Sequence, residues 1–281
     1  MNNKNTPLIS VVIPAFNSGK FIRETIESVL NQSCKDFEII VVDDESTDNT
    51  VSILKDLSNK DKRINYYQIP HNGRPSVPRN YGVEKSNGEF VAFLDADDIW
   101  VKNKLEKQIS EFEKHPDYIL VYSMSVTFGD VNLFSPYYEV LPLLHKVCRT
   151  KKELINRGNS ITCSTVLIKK ECFQKVGGFD EDIKLKAVED YDLWIRLSEI
   201  GQFGFVPRIH TYYRIHRKQF SSDWQTKQNR VKYLSDKHGW NLPEYKYYRN
   251  KGFLILLIRN IIHYLNFLSV KILERVENIF I

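Results

Sequence analysis

Three carboxylates lie close together immediately after a short apolar segment of the sequence. Residues 90–94 (FVAFL) have the composition of a buried strand, and Asp95, Asp97 and Asp98 follow them. Like charges this close repel one another, so they are either well solvated or held by a cation. We expect a divalent cation, because open α/β sheets bind ligands at the carboxyl ends of their strands. An acidic turn that caps a helix at Trp100 is the alternative.

A second acidic pair follows another apolar segment. Residues 37–42 (FEIIVV) are typical of a buried strand, and Asp43 and Asp44 come directly after them. The carboxyl ends of parallel strands lie along one edge of a sheet, so the two acidic segments should meet there. For Asp43 and Asp44, the start of a capped helix is the alternative.

The elements that position these carboxylates alternate between strand and helix. Apolar β-branched segments predict strands at residues 8–14, 37–42, 64–69, 90–94, 118–125 and 165–168. Helical spacing predicts helices near residues 21–30, 46–57, 76–86, 102–114 and 189–200. This alternation predicts an α/β fold with a mostly parallel sheet flanked by helices. Residues 127–160 show no clear pattern.

Phosphate-binding loops are missing from the sequence. It contains neither Gly-x-Gly-x-x-Gly nor Gly-x-x-x-x-Gly-Lys. A metal held by carboxylates is therefore the remaining way to neutralise a bound diphosphate.

The cysteines, which are Cys34, Cys148, Cys163 and Cys172, show no CxxC pair and no zinc spacing, so we expect free thiols in a reducing compartment.

At this point the residues resemble glycosyltransferase family 2, the inverting nucleotide-sugar enzymes of GT-A (Rossmann-like) fold. The matching segments are residues 10–17 (SVVIPAFN), 31–32 (NQ), 41–48 (VVDDESTD), 72–73 (NG), 79–80 (RN), 88–89 (GE), 93–98 (FLDADD) and 189–194 (EDYDLW). Their order and spacing agree over roughly residues 8–220, which implies a GT-A catalytic domain at 1–220. Two residues depart from the family pattern: Glu45 replaces a small residue, often Gly, and Pro78 replaces Ala.

The resemblance implies a nucleotide site at the first acidic pair. Asp44 would contact the nucleobase, with Asp43 beside it. A carboxylate can accept the imide hydrogen of uracil, so we expect a UDP-sugar donor. The turn that would form one wall of this pocket consists of Pro14, Ala15 and Phe16.

The resemblance also implies a metal site at the second acidic segment. Asp95 and Asp97, with Ala96 between them, resemble the DxD pair that holds Mg²⁺ or Mn²⁺ on the two phosphates. Asp97 would be the direct ligand and Asp95 would lie nearer the ribose. Arg79, with Asn80, resembles the support for this loop, and a pair on a helix surface is the alternative.

Asp190 resembles the family's catalytic base. At the start of a predicted helix the dipole helps to keep it ionised, so it could take a proton from the acceptor hydroxyl. Glu189 would orient the acceptor side, where Trp194 would form either the acceptor floor or part of the core. Arg214 and His216, in a Tyr-Arg-x-His segment, would clamp the diphosphate or else be solvated.

The carboxyl-terminal part of the chain is basic and aromatic. Residues 202–281 contain 14 Lys and Arg against 5 Asp and Glu. A helical extension at 221–281 is predicted, and its segment 252–270 has one apolar and one polar side. We expect it to lie on an anionic membrane surface and not on nucleic acid. The alternative is packing on the protein's own core or in a homodimer.

The combined prediction is an inverting, metal-dependent glycosyltransferase, either hexosyl or N-acetylhexosaminyl. It would use a UDP-sugar and an acceptor hydroxyl on a polyprenyl-diphosphate-linked glycan in bacterial surface polysaccharide synthesis. The polar start, without a signal peptide, predicts a cytoplasmic protein at the inner face of the cell membrane. The alternatives are a nucleotidyltransferase that makes nucleotide sugars and a non-catalytic nucleotide-sugar-binding module.

Overall fold

A computed structural model describes residues 7–129, 140–141, 147–216 and 224–243. The predicted helix at 252–270 and the predicted domain boundary at 220 lie outside the described residues. In the described part of the chain, helices that are long and apolar enough to cross a membrane are absent.

Four parallel strands form the first half of the sheet, in the order β3-β2-β1-β4. They are β1 (Ile9–Ala15), β2 (Phe37–Asp43), β3 (Ile64–Gln68) and β4 (Phe90–Phe93). Strands β2 and β4 are buried along their whole length, as their continuous apolar sequence predicts for a sheet covered on both faces. Their pairing on either side of β1 brings both acidic segments to one edge.

Helices connect these strands and cover the sheet. They are α1 (Ile22–Leu30), α2 (Thr50–Lys60), α3 (Ser76–Glu84) and α4 (Lys104–Lys114). Each one corresponds to a helix predicted from periodicity. Pro78 lies in the first turn of α3, where its missing N–H costs the helix little.

The second half of the sheet is mixed and continues in the order β4-β8-β6-β9-β5. Its strands are β5 (Ile99–Trp100), β6 (Tyr118–Gly129), β7 (Val140–Leu141), β8 (Val166–Lys169) and β9 (Gln202–Ile215). The α/β prediction is confirmed, but the parallel arrangement ends at β4, because β8 runs antiparallel to both of its neighbours. Strand β9 is parallel to β6 and reaches β5 beside the acidic segment.

Four further helices belong to this half: α5 (Lys151–Arg157), α6 (Lys170–Lys175), α7 (Glu189–Leu197) and α8 (Trp224–His238). Helix α5 lies in the segment without a clear pattern, although Thr150 and Glu153 form a capping box at its start. One apolar cluster under the second half of the sheet includes Trp194 from α7 and Leu234 from α8. The four cysteines are free thiols.

Candidate active site

The loop after β4 is held by hydrogen bonds from two residues that are distant in sequence, Ser164 and Arg214. Asp98 is fully buried, and its carboxylate accepts hydrogen bonds from the Ser164 hydroxyl (2.6 Å) and from the Arg214 backbone N–H (2.8 Å). Burial and the neighbouring Asp97 and Asp95 carboxylates raise the pKa of Asp98 well above its usual range. Asp98 therefore fixes the position of the loop through these two hydrogen bonds.

Asp97 lies on the other side of this loop and meets the end of β9. Its Oδ2 lies 2.9 Å from His216 Nε2, and its carbonyl oxygen accepts a 2.6 Å hydrogen bond from Arg214 Nε. Burial and the Asp95 carboxylate raise the pKa of Asp97, although His216 opposes this rise. A divalent cation would relieve this repulsion, and carboxylate oxygens are ligands that Mg²⁺ and Mn²⁺ prefer. Asp97 and Asp95 therefore fit a metal.

The Arg214 guanidinium makes its contacts with other residues of the protein. It also pairs with Glu24 of α1 at 2.6 Å and lies over the rings of Phe21 and Phe128. These contacts fasten the end of β9 to the acidic loop and to α1. In this structure the Arg214 guanidinium thus holds the loop in place.

Arg79 of α3 joins the acidic loop to the start of α7. Its Nη2 donates to Asp95 Oδ1 at 2.7 Å, and its Nη1 donates to Glu189 Oε1 at 2.8 Å. The side chain is 4% exposed, so the alternative of an ordinary pair on a helix surface is wrong. The next residue, Asn80, donates a hydrogen bond from Nδ2 to the Phe179 carbonyl oxygen and accepts one at Oδ1 from the Phe179 N–H. Arg79 therefore positions two carboxylates from different parts of the chain.

Asp190 is the second residue of α7, as the sequence predicted, and is half-buried. Its Oδ1 accepts a 2.7 Å hydrogen bond from the Tyr191 N–H, and its Oδ2 accepts one from Asn159 Nδ2 at 3.2 Å. Burial and the adjacent Glu189 carboxylate raise the pKa of Asp190 to about 6, whereas the Lys227 ammonium and Arg79 lower it. The carboxylate is therefore ionised at neutral pH, and its pKa lies close to the range in which a general base is most effective.

The acceptor-side assignment of Trp194 is wrong. The indole is fully buried, its Nε1 donates to the Ile161 carbonyl oxygen at 3.2 Å, and its ring packs against Phe179. It belongs to the core and cannot touch an acceptor. The Glu189 side chain is 7% exposed and paired with Arg79, so its geometry is that of an orienting group and not of an acceptor contact.

The predicted nucleobase end brings the exposed Phe16 and the buried Asp44 together around His71. Phe16 is 46% exposed, and its ring stacks on His71 with 4.4 Å between centroids. The Asp44 carboxylate lies 2.9 Å from His71 Nδ1 and accepts a 2.7 Å hydrogen bond from Asn72 Nδ2. The Ala15 carbonyl oxygen accepts from the Asp44 N–H at 2.8 Å, which ties the two turns together.

Asp43 lies beneath this surface and is fully buried. Its Oδ2 accepts hydrogen bonds from the Ser46 N–H (3.1 Å) and from Gln68 Nε2 (3.2 Å), while Oδ1 has no hydrogen-bond partner among the described residues. Asp43 thus supports the loop that carries Asp44. Pro14, at the carboxyl end of β1, pairs in register with Val42 on β2, next to this loop.

The unusual residue Glu45 adopts a left-handed backbone, with φ of 60°. Glycine adopts this conformation without steric cost, which explains why a small residue is usual here. Glu45 Oε2 accepts a 3.1 Å hydrogen bond from the His71 N–H. The contact links this strained turn to the His71 loop.

Sequence reasoning did not identify two of the residues that shape these sites. Asn159, which contacts Asp190, lies in the segment without a clear pattern, and no sequence signal marks it. His71 precedes the matched pair at residues 72–73, so that motif could have pointed to it.

Ala96, between Asp95 and Asp97, carries no side-chain function, but its carbonyl oxygen accepts a hydrogen bond from Thr25 at 2.9 Å.

Comparison with known proteins agrees with this geometry. The family model described as "Glycosyl transferase family 2" matches residues 10–176. This chain belongs to glycosyltransferase family 2. A curated relative, the putative teichuronic acid biosynthesis glycosyltransferase TuaG of Bacillus subtilis, is 30% identical over 224 residues, which are 78% of this chain and 84% of TuaG. Family membership supports a glycosyltransferase and not the nucleotidyltransferase alternative.

Solved structures share the fold of this glycosyltransferase at lower identity. S. aureus TarS in complex with UDP-GlcNAc has a TM-score of 0.67 and 21% identity, covering 84% of this chain and 68% of that one. The mannosyltransferase PcManGT of Pyrobaculum calidifontis, in complex with GDP-Man and Mn²⁺, has a TM-score of 0.64 and 17% identity, covering 84% and 65%. These likenesses confirm the GT-A-like α/β fold.

Proposed function

We propose that this protein is an inverting, metal-dependent glycosyltransferase that moves one sugar from a UDP-sugar to an acceptor hydroxyl. The observation that carries the proposal is the bridge made by Arg79, which binds Asp95 and Glu189 at 2.7 and 2.8 Å. The bridge places the predicted metal loop beside the helix that begins with Glu189 and Asp190. A diphosphate on that loop would present its sugar towards Asp190.

The donor would bind along the carboxyl edge of the parallel strands. Phe16 offers an exposed ring to a base. The Asp44 carboxylate is buried and bonded to His71 and Asn72, and it would accept the imide hydrogen of uracil once these contacts open. The UDP-GlcNAc in the TarS structure supports UDP, whereas the mannosyltransferase structure contains GDP-Man. Binding would require His71, which now stacks on Phe16, to share or leave that face.

A Mg²⁺ or Mn²⁺ ion would be held by Asp97, with Asp95 beside it and His216 at hydrogen-bond distance from Asp97. The Mn²⁺ in the mannosyltransferase structure supports this choice. When bound, the cation supplies electrostatic stabilisation of the leaving diphosphate, which is usually the largest contribution to catalysis of this type.

Asp190 would act as the general base. Asn159 holds one carboxylate oxygen at 3.2 Å and the Tyr191 N–H holds the other at 2.7 Å, so the carboxylate has a fixed orientation. It would accept the proton of the acceptor hydroxyl as that oxygen attacks the anomeric carbon from the side opposite the diphosphate. Such an attack inverts the configuration at that carbon.

The acceptor would be a lipid-linked glycan, such as one on polyprenyl diphosphate, in bacterial surface polysaccharide synthesis. The name of TuaG, which refers to teichuronic acid biosynthesis, supports this class. The protein would then work at the inner face of the cell membrane through the segment 252–270, whose sequence has one apolar and one polar side, aided by the basic residues Lys246, Arg249 and Lys251 before it. Homodimer contact is the alternative role of that segment. The transferred sugar would be a hexose or an N-acetylhexosamine.

The central test is the Asp190→Asn variant, with the exposed Asp236→Asn variant as a matched control. Asp190→Asn should bind UDP normally but transfer sugar at less than about a hundredth of the wild-type rate, a typical contribution of a general base. Asp236→Asn should keep both properties. Full activity in Asp190→Asn would show that Asp190 is not the base. Activity that survives chelation of divalent cations would show that transfer does not depend on a metal.

A further inference from the structure

Ser164 lies beside the acidic loop, in the short 3₁₀ helix Cys163–Thr165 that leads into β8. Its side chain is fully buried. The hydroxyl donates to Asp98 Oδ2 at 2.6 Å and accepts a hydrogen bond from the Asp95 N–H at 3.1 Å. A serine hydroxyl has one proton to donate and two lone pairs, so the same oxygen can make both bonds. One buried hydroxyl therefore contacts the loop at two points.

These two points are the ends of the turn that carries Asp97. The Asp98 N–H donates to the Asp95 carbonyl oxygen at 3.1 Å, which closes a turn of four residues. Ala96 and Asp97 are its two central residues. Because the Ser164 hydroxyl bonds both ends, it fixes where the turn lies relative to β8, and with it the backbone position of Asp97.

The Ser164 backbone holds the segment that follows the turn. Its carbonyl oxygen accepts a 2.7 Å hydrogen bond from Trp100 Nε1 and a 3.2 Å hydrogen bond from Thr211 Oγ1. Thr211 belongs to β9 and pairs in register with Trp100 of β5. These two bonds use the backbone at position 164, so a substitution that removes the hydroxyl would leave them in place.

Removal of the hydroxyl would leave a buried carboxyl oxygen without its partner. Asp98 is fully buried, and its two oxygens accept hydrogen bonds from the Ser164 hydroxyl and the Arg214 N–H. Water does not reach a fully buried side chain to replace a lost donor, and an unsatisfied buried polar group is costly. The turn would therefore shift until Asp98 Oδ2 finds another donor, and Asp97 would shift with it.

We propose that Ser164 is a positioning residue that sets the affinity of the acidic loop for its divalent cation. The inference rests on the proposed metal-dependent function, in which Asp97 and Asp95 hold the ion. Mg²⁺ requires short bonds to oxygen in a nearly octahedral arrangement, so a small shift of one ligand weakens binding. Replacing a residue that orients a metal ligand by a hydrogen bond typically lowers metal affinity about ten- to a hundredfold.

The test compares two buried serines. Ser164→Ala removes the hydroxyl that bonds the turn, and Ser125→Ala removes one that lies 3.1 Å from Thr162 Oγ1, in the same segment as Ser164. Calorimetry measures the affinity of the full-length protein for UDP in EDTA and over a series of Mn²⁺ concentrations. The Mn²⁺ concentration that gives half of the gain in UDP affinity should rise about tenfold in Ser164→Ala and keep its wild-type value in Ser125→Ala. UDP affinity in EDTA should be the same in all three proteins, because the predicted base contacts, Phe16 and Asp44, are not changed.

A wild-type Mn²⁺ requirement in Ser164→Ala would overturn the inference. An equal rise in Ser125→Ala, or a loss of UDP affinity in EDTA, would also overturn it, because either would show a general loss of structure. If Ser164→Ala does not fold, Ser164→Cys carries the test, since a thiol is only a weak hydrogen-bond donor. A raised Mn²⁺ requirement in Ser164→Cys supports the inference, and a wild-type requirement overturns it. Wild-type protein that does not bind UDP, or whose UDP affinity does not respond to Mn²⁺, would contradict the proposed function itself.

Discussion

Arg79 Nη1 lies 2.8 Å from Glu189 Oε1, although the two residues are 110 positions apart in the sequence. The same guanidinium reaches Asp95 with its other terminal nitrogen, so one buried cation orients both the predicted metal loop and the helix of the predicted base. The distance between the predicted nucleotide site and the predicted base thus depends on a residue that need not touch either substrate.

We expect Arg79→Met to lower the free energy of unfolding by about 3–5 kcal/mol, because it leaves the largely buried carboxylate of Glu189 and that of Asp95 without their cation. Urea unfolding measures this change. The exposed Arg23→Met variant, which breaks the surface pair with Asp56, is the control and should leave stability nearly unchanged. A small effect of Arg79→Met would show that the bridge is not structural.

The rate of transfer should depend on the ionisation of Asp190. Because its pKa is raised to about 6, kcat/KM should fall about tenfold for each pH unit below that value, as the base becomes protonated. A pH-rate profile with saturating metal measures this limb. The Lys227→Gln variant removes a cation that lowers the pKa, so its limb should move to higher pH, while Lys232→Gln should leave it in place. An unmoved limb in Lys227→Gln would contradict the placement of that ammonium.

Ionisation of Asp190 should also lower the free energy of unfolding. The pKa of Asp190 is higher in the folded protein than its usual value of 3.8, so folding favours the protonated form, and stability is lost as the pH rises from about 4 to about 6. Asp190→Asn removes the charge and should therefore raise the free energy of unfolding at pH 7 by up to about 3 kcal/mol, the free energy of a pKa difference of about two units. Thermal unfolding at pH 7 and pH 4 compares the variants. An equal gain at both pH values would point to packing and not to charge.

The left-handed backbone of Glu45 predicts an order among substitutions at this position. Glu45→Ala keeps the strained φ of 60° and loses the hydrogen bond to the His71 N–H, so it should be the least stable. Glu45→Gly loses the same bond but relieves the strain, and should exceed the Ala variant by about 1 kcal/mol. Chemical denaturation measures the difference. An Ala variant as stable as the Gly variant would show that the turn adopts another conformation in solution.

The sequence predicted the elements best where the pattern is local. Strands β1 to β4 and helices α1 to α4 lie within a few residues of their predicted bounds, since apolar periodicity and turn residues act over short stretches of chain. The prediction failed for β9, which was not recognised as a strand, whereas α8 lies within the helical extension predicted at 221–281 but was given no bounds of its own. Both are stabilised by contacts with distant parts of the fold.

The sequence alone thus determined that acidic residues follow two parallel strands, β2 and β4, because the strands and the spacing of the motifs are encoded locally. The tertiary structure decided how these residues are used. It buried Trp194 in the core, placed His216 at 2.9 Å from Asp97, and joined Asp95 to Glu189 through Arg79. Such relationships depend on how the strands and helices pack, and residues more than a hundred positions apart carry no local signal of that packing.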